Sequence, residues 1–253
     1  MTLVLPPRLT ASARLLRETA RRRGLRIAHL PGFDVPEGLR PGACHLHAGP
    51  SFADAVASAL DIAPLEAPAD WTARLPREFT RRDIRAVPIG EAYGLRRPAF
   101  VKSPNDKSIA ALVYADGSRL PGPDAVDPGT LVLVSDVILF RTEYRLFLLD
   151  GRVHTGSRYA EGGRLRPGPL SAGAPAFGAE LLSAAGAGLP SAIVVDVGVT
   201  DTGEWAVVEA NAAWASGCYH SDPGRALDVV LRGAGPAAEL GERDRAFVRV
   251  TGR

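Results

Sequence analysis

The chain has 253 residues, enough for one large domain or two small ones. Its 46% hydrophobic and 23% charged residues are ordinary for a globular chain, and 27 Gly with 21 Pro promise many turns without reaching a disordered composition. A net charge of +2 with no long basic run gives nucleic-acid binding little support, and no apolar run reaches membrane-spanning length. The charge is unevenly spread. Residues 1–99 hold fifteen Arg against ten acids, which reads either as a solvated face or as a surface for an acidic partner. Cys44 and Cys218 are far apart and make no metal-ligand spacing, so both read as reduced thiols of a cytoplasmic protein. The opening Met1-Thr-Leu-Val-Leu-Pro-Pro is too short for a signal h-region.

In chain order, Leu3-Val-Leu5 predicts a short buried strand, Thr10 a cap for a helix over Ala11–Arg23, and Leu25–Leu30 a second strand. Strand, helix, strand at this length predicts a parallel βαβ start. Cys44–His47 reads as a third strand, Ser51 as the cap of a helix through Leu60, and 68–84 as a helical, Arg-rich connector. From Ala99 the pattern turns to strands: Ala99–Lys102, Ile109–Ala115, Thr130–Val137, Tyr144–Leu149 and Val153–Tyr159. Asp150-Gly151 marks a two-residue hairpin turn. A Gly/Pro-rich loop spans 162–175, and a helix is expected over Ala176–Ala187. Strands at Ala192–Val199 and Glu204–Ala210 follow, then a helix over Pro223–Leu231 and a peripheral tail from Gly233.

Of 30 strong bases only two, Lys102 and Lys107, are lysine, and they sit five residues apart at the end of an apolar strand. In an arginine-biased chain, lysine persists where a compact, flexible point charge is needed, as on a phosphate chain. The alternative is two solvated surface lysines.

The second hairpin puts Asp196 opposite Glu209, with Asn211 on the same face by the two-residue period of a strand. Facing like charges destabilise a sheet. A divalent cation resolves the repulsion, and two carboxylates plus a carboxamide suit Mg²⁺ completed by water and phosphate oxygens. The alternative is an outer face open to water, and a three-residue loop would slip the register and remove the pairing. In the first hairpin the turn at Asp150-Gly151 predicts Glu143 facing Arg158, with Arg145 on Glu143's side. This reads either as a surface ion pair or as two arginines holding phosphoryl or carboxylate oxygens beside an acid that meets a ribose hydroxyl. Between these sets, Leu131-Val-Leu-Val-Ser-Asp-Val137 is an apolar strand with a polar end, able to offer backbone groups to an adenine edge.

Taken in order, Phe100-Val-Lys102…Lys107, Ser135-Asp-Val137…Glu143-Tyr-Arg145, Val195-Asp196-Val-Gly198 and Val208-Glu209-Ala-Asn211-Ala-Ala-Trp214-Ala-Ser-Gly217 resemble the ATP-grasp superfamily. The nearest likeness is to a divergent clade that includes a eukaryotic cell-division-cycle protein. The resemblance covers about residues 98–222, and the upstream Trp71…Leu75-Pro-Arg-Glu-Phe79…Arg82 is similar to the region before the grasp domain in bacterial relatives.

It implies an α/β N-terminal unit at 1–95 and an α+β grasp domain at 96–253, split into subdomains at 96–150 and 151–253 with ATP held between antiparallel sheets. It implies Lys102 and Lys107 on the phosphates, Ser135, Asp136 and Val137 at the adenine, Glu143 at the ribose, and Mg²⁺ on Asp196, Glu209 and Asn211. Arg145 or Arg158 would steady an acyl phosphate, with Lys107 also counted among the catalytic groups. The chemistry implied is activation of a carboxylate for attack by an amine or similar nucleophile on a small molecule, peptide or protein. An ATP-binding assembly factor that docks a protein partner without ligation is the second reading, and a nucleotide-free module with a decayed site is the third. The spacer Ser103-Pro-Asn-Asp106 lacks the family's usual glycine-rich loop, which makes 162–175 the alternative phosphate lid.

Arg21-Arg22-Arg23 reads as a solvated helix end, where cations suit the dipole. His45 and His47 share a strand face without a third ligand, and His154 and His220 read as polar residues before acid–base groups. Neither a P-loop nor a nucleophile-elbow motif occurs.

Overall fold

The computed structural model describes residues 1–105 and 108–250. Its first unit contains β1 (Thr2–Leu5), α1 (Ala11–Arg22), β2 (Arg26–His29), β3 (Cys44–Leu46), α2 (Pro50–Val56) and β4 (Ile62–Pro64). β1 is the parallel centre of a three-stranded sheet, flanked by β2 and β3. Thr10 caps α1 as expected: its Oγ1 accepts from the Ala13 amide at 3.1 Å. α2 begins one step earlier than expected, with Gly49 at the cap and Pro50 in the first turn. Proline fits there because that position has no intrahelical use for an N–H.

The connector is less helical than its sequence promised. A 3₁₀ turn at Trp71–Arg74 and one turn of helix, α3 (Arg77–Thr80), end at Arg81, whose φ of 54° is left-handed. A strand then begins, β5 (Ile84–Pro88), followed by α4 (Ile89–Ala92), β6 (Ala99–Lys102), β7 (Leu112–Tyr114) and β8 (Leu131–Ser135). These strands form an antiparallel sheet in the order β5-β8-β6-β7. The expected division at 95/96 therefore falls inside one sheet, because β5 lies before it and pairs with β8.

The larger sheet follows: β9 (Phe140–Leu149), β10 (Arg152–Glu161), β11 (Arg164–Gly168), then α5 (Gly173–Ala185), β12 (Ala192–Thr200) and β13 (Trp205–Asn211). Its order is β11-β10-β9-β12-β13. The Asp150-Gly151 turn joins two strands of this sheet, so the expected subdomain limit at 150/151 is a hairpin turn and not a border. Tyr144, Leu146, Leu148, Val195 and Val197 bury one face against Phe177 and Leu181 of α5. Phe147, Ala192 and Val194 point the other way, into a core shared with Leu3, Leu5 and Leu16 of the first unit and with α6 (Pro223–Gly233).

The tail is not peripheral. β14 (Ala234–Pro236) pairs with β4. Asp244 accepts from the Ser191 amide at 2.7 Å. Arg249 forms ion pairs with Asp54 and Glu66, both at 2.7 Å. A three-residue Ala-Gly-Pro strand carries no periodicity to announce it. Among the described residues, no helix is long and apolar enough to cross a membrane.

Candidate functional site

The five-stranded sheet sets the site. β12 and β13 are joined by Asp201-Thr202-Gly203, with Gly203 at φ 91°. That is the three-residue loop that slips the register, pairing Val199 with Trp205 and Val197 with Val207. A β-bulge then adds Val208 to β13 and shifts the register back. Asp196 faces Glu209, and Val194 faces Asn211. Without the extra residue, Glu209 would turn to the α5 side of the sheet.

Asp196 is fully buried. Its carboxylate receives a two-pronged ion pair from Arg145 on β9, Nε to Oδ1 at 2.8 Å and Nη2 to Oδ2 at 2.7 Å. The Asn211 carboxamide donates to Asp196 Oδ2 at 3.1 Å and to Glu209 Oε1 at 2.9 Å. Lys102, at the end of β6 in the other sheet, forms an ion pair with Glu209 Oε2. Burial raises the Asp196 carboxyl, with the Arg145 fork opposing it. Burial also penalises the charge on Arg145, yet Asp196 outweighs that and holds the guanidinium charged. At Glu209, burial is outweighed by Lys102 and the carboxyl is lowered.

Arg145 is also enclosed by aromatic rings, its guanidinium carbon 5.5 Å from the Tyr159 centroid and 5.3 Å from that of Tyr219. The two rings stack on each other at 5.5 Å. Tyr219 holds a left-handed backbone at φ 45°, a strained setting for a bulky residue. Tyr159 donates to Glu143 Oε2 at 2.6 Å. Burial raises the Glu143 carboxyl against this hydrogen bond, with help from Asp196 and Glu209.

Lys102, Glu209 and Asn211 open onto a cleft of about 1180 Å³. One wall comes from the first unit, at Arg8, the start of α1 and His47–Pro50. The other comes from Pro104, Asn105 and Ile109–Ala111, with Leu165 and Pro167 of β11 at the rim. Part of the loop expected as a lid is thus a strand edging the cleft. His47 is buried with its Nδ1 unpartnered, and burial lowers it to about 4.

Other expected residues lie elsewhere. The first hairpin gains a residue at His154 and another at Tyr159, so Glu143 faces Ala160 and Arg158 faces Tyr144. Arg158 is therefore on the α5 side of the sheet, where it pairs with Glu161 at 3.2 Å, and it forms no set with Glu143 and Arg145. Asp196, expected beside Glu209 as a metal ligand, lies beneath the cleft floor and does not line it. Ser135, Asp136 and Val137 form the link between the two sheets, and the Asp136 amide donates to Asp83 O at 3.1 Å. Lys107 lies outside the described residues. His45 bonds Leu231 O at 2.8 Å, and His154 bonds Asp228 at 3.0 Å on the surface. Among the described residues, no group of three or more His, Cys, Asp or Glu side chains is placed to hold a metal. The cation-facing set at the cleft is therefore one carboxylate and one carboxamide.

Sequence reading missed the roles of Tyr159, Tyr219 and Arg82. Arg82 is almost wholly buried, and its guanidinium reaches the carbonyls of Val207 and Val208 at 2.8 and 3.1 Å. Burial lowers it to about 10. Its signal was slight, one arginine in the similarity upstream of the grasp region.

Two antiparallel sheets meeting over a cleft, with a lysine from one against a carboxylate from the other, define an ATP-grasp fold. Residues 79–229 match an ATP-grasp domain family, the second family of its clade, and the chain belongs to that family. Among solved structures it is similar to D-cycloserine synthetase DcsG, at 13% identity and a TM-score of 0.56, over 91% of this chain and 98% of that one. It is similar to the ATP-grasp ligase PsnB in complex with a minimal precursor, at 13% identity and a TM-score of 0.50, over 92% and 99%. The L-amino acid ligase from Bacillus licheniformis matches at 15% identity and a TM-score of 0.51, over 83% of this chain and 66% of that one. At such identities the shared property is the fold. No curated protein matches the chain in sequence.

Proposed function

We propose that this chain is a cytoplasmic, ATP- and Mg²⁺-dependent ligase. It would activate a carboxylate as an acyl phosphate for attack by an amine or similar nucleophile. The observation that carries the reading is the meeting of Lys102, Glu209 and Asn211 on the cleft floor between the two sheets. Phosphoryl transfer asks a protein mainly for positioning and charge neutralisation, and these groups supply both.

Glu209 and Asn211 would hold Mg²⁺ through side-chain oxygens. That fits an ion that keeps water and phosphate ligands and needs only one or two carboxylates. The ion supplies neutralisation of phosphate charge. Asp196 adds a fixed negative charge beneath and orients the Asn211 carboxamide. Lys102 would take phosphate oxygens, with Lys107 beside it on the strength of the sequence resemblance. Ser135–Val137 would meet the adenine and Glu143 the ribose. Arg145, with its fork on Asp196, braces the metal side of the site. Arg158 takes no part.

The acceptor would occupy the cleft along the first unit, where Ala48, Gly49, Pro50, Ala110 and Ala111 leave wide, small-residue walls. The similar proteins are named for an amino acid and for a precursor peptide, which makes these the first acceptors to try. The test is ADP release in the presence of Mg·ATP with panels of amino acids and peptides. Release that depends on an added acceptor supports ligation. Nucleotide binding without such release favours a docking factor.

A further inference from the structure

β13 is the outer strand of its sheet, so its outward carbonyls find no sheet partner. The segment just after α3 covers them. Arg81 Nε reaches Trp205 O at 3.4 Å, and Arg82 Nη1 and Nη2 reach Val207 O and Val208 O at 2.8 and 3.1 Å. Arg82 Nη1 also donates to Thr80 O at 2.9 Å, and Thr80 Oγ1 donates to Arg82 O at 2.7 Å, so the arginine is fixed at its own end. The Phe140 ring lies 5.8 Å from the guanidinium carbon. The two carbonyls that Arg82 gathers belong to the bulge itself. They flank the point where the register changes from Val197–Val207 to Asp196–Glu209.

The bulge decides which face Glu209 and Asn211 occupy, since a one-residue slip turns every later side chain over. An extra residue in an edge strand has lost its ladder contacts and needs another anchor. We infer that Arg82 is a positioning residue that pins the Val208 bulge and thereby sets Glu209 and Asn211 on the cleft floor. This deepens the proposed function and rests on its assignment of Glu209 and Asn211 to Mg²⁺. Arg82 touches neither metal nor nucleotide in this role. A lysine there offers a point charge where the bulge asks for a two-pronged donor.

The experiment uses the full chain as wild type, Arg82→Met, Arg82→Lys and a deletion of Val208. Two quantities are read: amide hydrogen exchange over 205–211 without nucleotide, and the Mg²⁺ concentration at half-maximal melting shift with a fixed, non-hydrolysable ATP analogue. Arg82→Met is expected to speed exchange over 207–211 and to raise the Mg²⁺ half-saturation by about 10- to 100-fold, the usual cost of losing an outer support of a metal ligand. Binding of the analogue without metal should stay near wild type, which general loosening of the fold would not allow. Arg82→Lys should fall between the two. The Val208 deletion keeps Arg82 and should lose the Mg²⁺ response outright, which preserves the test if Arg82→Met does not fold. Wild-type exchange together with wild-type Mg²⁺ half-saturation in Arg82→Met, or an intact Mg²⁺ response without Val208, overturns the inference. A wild-type chain that shows no Mg²⁺-dependent binding overturns the proposed function instead, and the exchange comparison then decides the role of Arg82 alone.

Discussion

Lys102 of β6 and Glu209 of β13 form an ion pair across the cleft, so the two grasp sheets are joined by the groups proposed to take phosphate and metal. Glu209 is the more exacting of the two, because it bonds Lys102 and Asn211 at once. Glu209→Ala should abolish the Mg·ATP effect on melting. In the wild type, a ligand at about 100 times its Kd adds roughly 2.7 kcal/mol to the folded state. An undiminished shift in the variant would remove Glu209 from the metal site.

Lys102→Met tests the same pair from the other side. Lys102 lowers the Glu209 carboxyl against burial. A carboxylate whose folded pKa is depressed contributes stability above its ordinary value, and that contribution is lost as pH falls. Without Lys102, burial should raise the Glu209 carboxyl. The variant should then bind Mg·ATP weakly and regain some binding as pH rises. Urea unfolding should show a smaller loss of stability on acidification than in wild type. A binding profile that keeps the wild-type pH dependence would mean that Glu209 draws its charge state from elsewhere.

Much of the cleft floor was legible because strands alternate. Asp196 and Glu209 interrupt apolar runs, and Asp201-Thr-Gly203 announces a turn between them. Yet their facing arrangement arises from two departures that cancel, a three-residue loop and a bulge at Val208. The β9–β10 hairpin has no such cancellation. Bulges at His154 and Tyr159 add up, and they move Arg158 away from Glu143. Nothing about a histidine or a tyrosine in a strand marks it as the extra residue. β5 and β14 were equally silent, being short and closed by proline, and their pairing comes from partners distant in the chain. The Arg145–Asp196 fork was hidden for a related reason: β9 and β12 are neighbours in the sheet but not in sequence.

That fork predicts an asymmetry in stability. Asp196→Ala leaves the Arg145 guanidinium buried between two tyrosines without its counter-charge, which should cost about 3–5 kcal/mol. Replacing both partners, as Arg145→Met with Asp196→Leu, removes the unpaired charge and should recover much of the loss. Denaturant unfolding of the two single variants and the double variant measures the coupling. Additive losses would show that the two residues contribute separately.

His47 should shape the acid limb of stability. Its ordinary value of 6.5 is lowered to about 4 by burial, with the Trp214 carbonyl opposing the shift. The folded state therefore binds the proton less well than the unfolded chain. The stabilising contribution is complete above pH 6.5 and fades as pH falls toward 4. At 1.36 kcal/mol per pH unit, it is on the order of 3 kcal/mol. His47→Gln keeps a polar side chain that does not titrate. The stability difference between wild type and variant should be constant above pH 6.5 and shrink between there and pH 4. Urea unfolding at several pH values reads this directly. Because Ala48 donates to Trp214 O at 2.9 Å, the strand carrying His47 is tied to the turn that follows Asn211. The same acidification should therefore weaken Mg·ATP binding in wild type more than in His47→Gln. A parallel loss of binding in both proteins would place the acid sensitivity in the cleft carboxylates and not in His47.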